Sequence, residues 1–266
     1  MAGEYGRANE LKLHTFENLT PAKLLRRYKR FLADFELPSG ELVTAHCPNP
    51  GRMSSILPSP ELCYLTDFRQ LGHNKRKLDF RWELAQMKDS MVVVNTQLAN
   101  QVARELLLHH RQLREKLGAQ SETVLTKEVS LEPTDGVRTR FDFALTGPDG
   151  PTYIEVKQVS LRAGDDNDGR RWAAFPDAVT ARGKRHLEEL TRLKNEGLKT
   201  ALLYMVGRSD VDAVRPAEEV DPAYAEAFRK ARTAGVLMEA CRLTATPEGL
   251  FFDQFLPVHS HASAFT

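Results

Sequence analysis

The sequence is short of the features that mark membrane-spanning and exported proteins. Its longest apolar runs, MVVV at residues 91–94 and ALLYMV at 201–206, fall far below the ~20 residues needed to span a bilayer, so no membrane partner is expected. The opening residues, MAGEYGRANELKLHTF, contain neither an apolar run nor the Arg-rich amphipathic pattern of a transit peptide. We therefore expect a cytoplasmic protein.

Cysteine is also scarce, and charge of neither sign is in excess. Cys47, Cys63 and Cys241 are far apart and show none of the paired spacings typical of zinc sites or redox dithiols, so reduced, buried cysteines are expected. Lys and Arg total 37 against 36 for Asp and Glu, a net charge of +1. This balance excludes a general attraction to polyanions, so any nucleic-acid site must be local.

The two halves of the chain carry different patterns. In the first half, short alternating segments such as LVTAHC at 42–47 are separated by the turn signals PSG, PNPG and LPSP, which predicts a small β-barrel or sandwich. From residue 98, apolar side chains recur at helical spacing and Gly118 provides a stop, which predicts one helix over 98–117. We place the boundary at residue 97, which gives domains at 1–97 and 98–266.

The second half alternates strand and helix patterns. A strand near 125–131 and a hairpin centred on GPDG precede a helix over about 180–196, the buried strand TALLYMVG, a second helix and a strand near residue 236. Helix, three-stranded meander, helix, strand, helix and strand describe a mixed sheet. The predicted fold class is therefore α/β (α+β mixed), with a barrel in front.

The hairpin around GPDG (147–150) concentrates charged side chains on one face. A four-residue loop pairs Phe143 with Ile154 and Asp142 with Glu155. One predicted face is apolar and carries Phe141, Phe143, Ile154 and Val156, whereas the other is charged and carries Arg140, Asp142, Glu155 and Lys157, with Arg140 opposite Lys157. Two carboxylates ~5 Å apart repel by about 3 kcal/mol at an effective dielectric constant near 20, so the pair needs a neutralising partner.

A divalent cation would remove this repulsion. Mg²⁺, or Mn²⁺ in its place, prefers oxygen ligands and takes one or two carboxylates plus waters and a substrate phosphate, so Asp142 and Glu155 are predicted metal ligands. Lys157, on the same face, would orient a water or stabilise charge developing on phosphorus. The alternative is an ordinary solvated face on which Arg140 and Lys157 balance the two acids.

The order D…ExK, on two adjacent strands followed by a helix and a strand, resembles the PD-(D/E)xK phosphodiesterase superfamily of nucleases. Longer strings resemble a single family, the bacterial sugar fermentation stimulation (SfsA) proteins. These strings are LLRRYKRFLAD (24–34), HCPNPG (46–51), NKRK (74–77), WEL (82–84), VNTQLAN (94–100), RFDF (140–143), YIEVKQVSL (153–161) and FPDAVTARGKRHLEEL (175–190). On these strings the sequence is identified as a member of that family.

The resemblance implies both a fold and a role. It implies an amino-terminal OB-like barrel followed by a PD-(D/E)xK nuclease-like mixed-sheet domain, and DNA binding linked to control of sugar-utilisation genes. It also implies a third metal acid on the first helix of the second domain, where Glu105 stands, with Glu128 of similar status on its strand. Each glutamate is explained equally well as an ordinary surface residue, and in that interpretation Glu105 is the neighbour of Arg104.

Basic and aromatic residues are the candidate nucleic-acid contacts. RRYKRF at 26–31 interleaves positive charge with rings, a combination that follows a phosphate backbone and stacks bases. In an OB-like context such patterns favour a nucleic-acid groove over plain solvated surface. The predicted contacts are Arg27, Tyr28, Lys29, Arg30, Lys75, Arg76, Lys77, Arg140, Thr180, Arg182 and His186. His46 and Asn49 are candidates either for phosphate binding or for capping a turn.

The leading functional prediction is a protein that binds DNA, with RNA as the alternative polynucleotide, and hydrolyses phosphodiester bonds with Mg²⁺ or Mn²⁺. A second interpretation is a non-catalytic DNA-binding regulator that retains the nuclease scaffold. A third is a metal-binding protein that acts on a small phosphorylated ligand.

Overall fold

The computed structural model describes residues 11–57, 60–71, 76–120, 122–131 and 139–261. Within these residues the strands are β1 Lys12–Thr15, β2 Leu19–Tyr28, β3 Leu32–Glu36, β4 Leu42–His46, β5 Leu62–Asp67, β6 Phe80–Met87, β7 Ser90–Val93, β8 Val124–Leu131, β9 Thr139–Gly147, β10 Gly150–Val159, β11 Leu161–Asp165, β12 Arg171–Phe175, β13 Lys199–Val206, β14 Ala213–Pro216, β15 Leu237–Thr246 and β16 Gly249–Leu256. The helices are α1 Leu98–His109, α2 Arg111–Lys116, α3 Ala181–Asn195 and α4 Pro222–Thr233, and a 3₁₀ turn, Phe68–Leu71, follows β5.

The amino-terminal strands form a closed barrel. They hydrogen-bond in the order β4-β3-β2-β5-β6-β7, and β4 also pairs in parallel with β6, where Ala45 faces Phe80. This extra pairing closes strands β2 to β6 into a barrel, and β7 extends from β6 as an edge strand. Inside the barrel Phe35 meets Trp82 edge to face, with ring centroids 5.2 Å apart. The predicted OB-like barrel is confirmed.

A seven-stranded mixed sheet forms the second domain, in the order β1-β16-β15-β13-β10-β9-β8. Strands β10, β13 and β15 run parallel at its centre, and antiparallel strands extend it on both sides. Alternate side chains of β13 pack under α1 and α2 on one face and under α3 and α4 on the other. Both faces are therefore covered, as the unbroken apolar run of β13 predicts. The predicted mixed α/β class is confirmed.

Two further strand arrangements complete the second domain. A small sheet, β11-β12-β14, starts directly after β10. Strand β1, which lies within the segment that the sequence assigned to the barrel domain, pairs with β16 instead. The first described residues therefore complete the sheet of the second domain.

The hairpin of β9 and β10 has the predicted register as far as Phe143, which faces Ile154. The turn is tighter than predicted, because Gly147 pairs with Gly150 and only two residues form the loop. The predicted common face of Phe141 and Phe143 is wrong: Phe143 packs in the core under α1, whereas Phe141 packs in the core under α3. Pairing of the two strands ends at Phe143, so the predicted pairs of Asp142 with Glu155 and of Phe141 with Val156 do not form, and Phe141 is released to the other face.

The helix predicted over 98–117 is broken at His110. His110 has an extended backbone, and its Nδ1 accepts the Leu113 N–H at 3.3 Å, which starts α2 afresh. The imidazole also packs against Phe252, with ring centroids 4.3 Å apart, and such a contact is invisible to a local periodicity argument. Among the described residues, no helix is long and apolar enough to cross a membrane.

Candidate functional site

Asp142 lies where β9 separates from β10. Its Oδ2 accepts the Val156 N–H at 2.8 Å, so a side chain takes the backbone donor that the continued strand ladder would have used. Its Oδ1 accepts from the Asn100 amide at 2.7 Å. Because Asn100 belongs to the first turn of α1, the carboxylate is held between that helix and β10.

Glu155 is 2% exposed and lies on the face of β10 that packs under α3. Lys157 Nζ and His186 Nδ1 both contact its Oε1. Its Oε2 is buried and has no hydrogen-bond partner among the described residues. Since a buried acceptor without a donor is costly, Oε2 is the atom at which a ligand is expected.

The surroundings of the two carboxyl groups shift their pKa values in opposite directions. Burial, with the charge of Glu155 added, raises the pKa of Asp142 above its ordinary value, and hydrogen bonds from Val156 and Asn100 only partly offset this rise. Burial also acts to raise the pKa of Glu155, but the His186 hydrogen bond and the Lys157 charge outweigh it, so that pKa is lowered. Asp142 is therefore the acid that gains more from an added positive charge.

Replacing Asp142 with Asn is expected to raise the free energy of unfolding at neutral pH in metal-free buffer. Because folding raises the pKa of Asp142, the wild type gains from this group below its ordinary pKa and loses that gain as the pH rises through the raised value. The advantage of the variant should therefore grow from about pH 4 upward. Urea unfolding with EDTA across a pH series measures it.

The matched control is Asp149→Asn, in the turn of the same hairpin, where the side chain of Asp149 is 63% exposed. Its free energy of unfolding should follow the wild type at every pH. An Asp142→Asn protein that is less stable than the wild type at pH 7, and relatively better at pH 4, would contradict the assigned repulsion.

A cavity of about 300 Å³ is lined by both carboxylates. Its remaining walls come from the barrel loop at 49–51, the start of α1 and the segment that joins β12 to α3. Asp177 of that segment and Arg182 of α3 line the cavity. Gln158 also lines it, and its Oε1 is a second buried oxygen without a partner among the described residues. The cavity thus lies between the two domains and combines acidic, basic and amide groups.

Arg27 holds the barrel loop in this position. Its guanidinium donates to the carbonyl oxygens of Arg30, Asn49, Gly51 and Arg52 at 3.1, 2.8, 2.9 and 3.3 Å respectively. The residue predicted to contact nucleic acid is therefore engaged with four backbone carbonyls. Its place in the structure is that of an anchor for a cavity wall.

Two contacts join this loop and the segment directly after it to the second domain. The Asp177 carboxylate lies so close to Gly51 that an added Cβ would stand 1.9 Å from Oδ2 and would displace the Asp177 side chain. Arg208, itself 2% exposed, donates to both oxygens of Asp210 at 2.7 Å and to Ser55 Oγ at 3.1 Å. The barrel loop is thus a built part of the cavity.

Both domains match family models. The model of the SfsA N-terminal OB domain matches residues 25–94, and that of the sugar fermentation stimulation protein RE domain matches residues 97–249. The chain belongs to the sugar fermentation stimulation protein family. Sugar fermentation stimulation protein homologs from Pseudomonas fluorescens and Synechococcus elongatus are 44% and 39% identical to it, over 90% and 91% of this chain and 96% and 95% of theirs.

A solved structure of this family is similar in fold. The structure of Pyrococcus furiosus SfsA in complex with Ca²⁺ has a TM-score of 0.77 and 23% sequence identity, and covers 94% of this chain and 99% of its own. Asn100 and Asp177, which the sequence reasoning missed, lie inside two strings that carry the family resemblance, VNTQLAN and FPDAVTARGKRHLEEL. Those strings were the available signal for both residues.

Glu105 forms ion pairs with its neighbours on α1. It pairs with Arg104 at 2.5 Å and with His109 at 3.5 Å, and it lines a neighbouring cavity of about 460 Å³ that also reaches Asp142 and Glu128. In the part of the chain that the structure describes, no three His, Cys, Asp or Glu side chains are grouped so as to hold a metal ion. The family's expected third acid is thus not grouped with Asp142 and Glu155.

The predicted contacts near the cavity have diverse partners. Thr180 caps α3 by accepting the Gly183 N–H at 3.0 Å, and Arg182 donates to His186 Nε2 at 3.4 Å. His186 is 3% exposed, so it lies below the surface that a phosphate would reach. Arg140 pairs with Glu128 at 3.3 Å, and the predicted pairing with Lys157 does not form.

The predicted contacts on the barrel are spread over its surface. Lys29 and Arg30 are exposed in the turn between β2 and β3, and the Tyr28 hydroxyl donates to Asp34 at 3.0 Å. The Arg76 guanidinium lies 3.7 Å from the centre of the Phe68 ring. Two positions complete the set: Lys77 is exposed, and Lys75 lies outside the described residues.

Proposed function

We propose that this protein binds nucleic acid and hydrolyses phosphodiester bonds with a divalent cation held by Asp142 and Glu155. One observation carries the proposal. The Oε2 atom of Glu155 is a buried anion oxygen with no partner among the described residues, in a cavity that also contains Asp142, a carboxyl group with a raised pKa. Such an arrangement is costly without a positively charged partner and is relieved by a cation.

The donor set fits Mg²⁺ or Mn²⁺. Mg²⁺ is bound through one or two carboxylates and completes its shell with waters and substrate phosphate oxygens, so two acids at a cavity suffice. The related Pyrococcus furiosus protein was solved in complex with Ca²⁺, another hard cation that takes oxygen ligands. Bound here, the cation would neutralise both carboxylates and polarise a phosphoryl oxygen.

The chain's own side chains supply the remaining chemistry. Asn100 and the Val156 N–H orient Asp142. Lys157, with a side chain 14% exposed, keeps its ammonium group beside Glu155, where it stabilises negative charge that develops on phosphorus. Arg182 lines the same cavity and presents a guanidinium group that suits a phosphate.

The barrel contributes a basic turn next to this cavity. Lys29 and Arg30 have φ angles of 46° and 62°, a left-handed conformation that costs non-glycine residues about 1–3 kcal/mol each and that clusters at binding sites. Phe31 follows at 43% exposure, with a ring that can stack a base. Since Arg27 bonds the carbonyls of both Arg30 and Gly51, the turn is tied to the cavity wall.

Cleavage of linear, nicked and single-stranded DNA and of single-stranded RNA, with Mg²⁺ or Mn²⁺ against EDTA, tests the proposal. The wild type should cleave at least one polynucleotide in a metal-dependent way, and Asp142→Ala should not. Asp149→Ala, which removes an exposed carboxylate from the turn of the same hairpin, should cleave like the wild type. Equal background cleavage by the wild type and Asp142→Ala on every substrate would refute the catalytic proposal.

A non-catalytic DNA-binding regulator is the competing outcome of the same experiment. It would bind DNA with a steep dependence on salt, and the slope would fall when Lys29 or Arg30 is replaced by Met, since each phosphate contact releases counterions. Glu155→Ala would leave such binding undiminished. Absence of binding to any polynucleotide at low salt would instead favour a small phosphorylated ligand.

A further inference from the structure

His186 is buried against the proposed metal site. It lies on the second turn of α3 with 3% of its surface exposed, and its ring approaches Phe141 with centroids 6.4 Å apart. Helix α3 packs closely against α4, because an added Cβ on Gly183 would lie 3.3 Å from the Tyr224 ring. Thr180 caps the helix and is itself fixed, since its N–H donates to Asp221 at 2.8 Å. The His186 imidazole is therefore held in position by a well-packed, capped helix.

The hydrogen bonds of His186 have a defined direction. Arg182 Nε donates to His186 Nε2 at 3.4 Å, and a guanidinium group has no acceptor, so Nε2 must be the unprotonated nitrogen. The ring proton is then on Nδ1, which contacts Glu155 Oε1. This network assigns the tautomer and makes His186 a hydrogen-bond donor to the carboxylate.

The two carboxylate oxygens of Glu155 have different hydrogen-bond partners. Oε1 receives both the His186 Nδ1–H and the Lys157 ammonium group, so both protein donors converge on the same oxygen. Oε2 has no protein donor among the described residues. With one oxygen held by two donors, the plane of the carboxylate is set and only Oε2 is left for a cation.

We propose that His186 is a positioning residue that sets the affinity of the site for a divalent cation by holding Glu155 Oε1 through Nδ1–H, so that Oε2 faces the ion. The inference rests on the proposed metal site and assigns a role to a side chain that does not touch the ion. Residues that orient metal ligands in this way typically change metal affinity by about 10- to 100-fold when they are replaced.

Two substitutions separate this role from a merely structural one. His186→Asn keeps an N–H donor at the δ position, whereas His186→Gln moves the amide donor to the ε position. Binding of Mn²⁺ alone to the full-length protein, followed by calorimetry, should be weakened about 10- to 100-fold by His186→Gln and largely retained by His186→Asn. Thermal unfolding in EDTA checks that both variants are folded. His110→Leu serves as the control, because it removes a histidine from the start of α2. This control should be less stable than the wild type but should bind Mn²⁺ with unchanged affinity.

The outcomes distinguish the inference from the proposed function. If the wild type binds Mn²⁺ and His186→Gln binds it equally well, the role of His186 is refuted and the metal site stands. Equal weakening by Asn and Gln also refutes it, because loss of packing and not loss of the δ donor would then be responsible. If the wild type binds no Mn²⁺, both proposals fail together.

Discussion

Replacing Lys157 with Met is expected to slow polynucleotide cleavage by at least about 100-fold while Mn²⁺ still binds. The methionine side chain has nearly the same length but no charge, so it cannot stabilise negative charge on a phosphoryl group in the transition state. The carboxylates remain, and His186 still holds Glu155 Oε1. Single-turnover cleavage at saturating Mn²⁺ measures the rate, and calorimetry measures the binding of the ion.

The matched control is Lys199→Met. Lys199 begins β13, the strand parallel to β10, and faces Thr152 at the opposite end of that strand from the site. It is 41% exposed and pairs only with Asp149 at 3.6 Å in the described part of the chain. Cleavage by this variant should stay within about twofold of the wild type, because exposed pairs of this kind contribute little. A Lys157→Met rate within threefold of the wild type would remove Lys157 from the chemistry.

Replacing Arg208 with Met is expected to lower the free energy of unfolding by about 3–5 kcal/mol. Arg208 and Asp210 have side chains only 2% and 8% exposed, and the substitution leaves the Asp210 carboxylate buried without its bidentate partner. It also removes the donor to Ser55, just after the barrel loop, and to the Ser160 carbonyl at 2.7 Å. Urea unfolding at pH 7 measures the loss.

The double variant Arg208→Met/Asp210→Leu should be less destabilised than the single one, since no unpaired charge is then left inside. Arg229→Met is the exposed counterpart: it removes one partner of an ion pair with Glu218 at 3.1 Å, with side chains 29% and 50% exposed. Its effect should stay below about 1 kcal/mol. If Arg208→Met costs no more than Arg229→Met, the buried pair does not brace the two domains.

Parts of the candidate site follow from local sequence. The GPDG turn sets the hairpin register as far as Phe143, whose pairing with Ile154 places Asp142 and Glu155 on neighbouring strands, although the predicted direct pairing of these two acids does not form. That argument works because a tight turn with alternating flanks leaves few registers that bury the apolar side chains. It fails one step later, at Asp142, because the Asp142 side chain takes the Val156 N–H and the strands part.

The sequence did not reveal which members of the predicted binding set are engaged by other groups of the protein. Arg27 and His186 read as surface cations beside aromatic or helical patterns, yet one donates to four carbonyls and the other is 3% exposed. Periodicity tells which face of a helix is apolar, but it does not tell which polar residue on that face meets a buried carboxylate 31 positions away. Only packing of α3 onto β10 makes that contact.

By itself, the sequence determined the two architectures, the order of most elements in the second half, the hairpin register as far as Phe143 and the pair of acids with the lysine two residues on. Each of these depends on contacts between near neighbours or on apolar patterns that repeat along one element. Tertiary structure alone decided that the OB barrel supplies a wall of the cavity through residues 49–51, that Asn100 and His186 each hold one carboxylate, and that Glu155 keeps one oxygen unpaired. Those outcomes depend on how separate elements pack, and packing is set by the whole chain and not by any one segment of it.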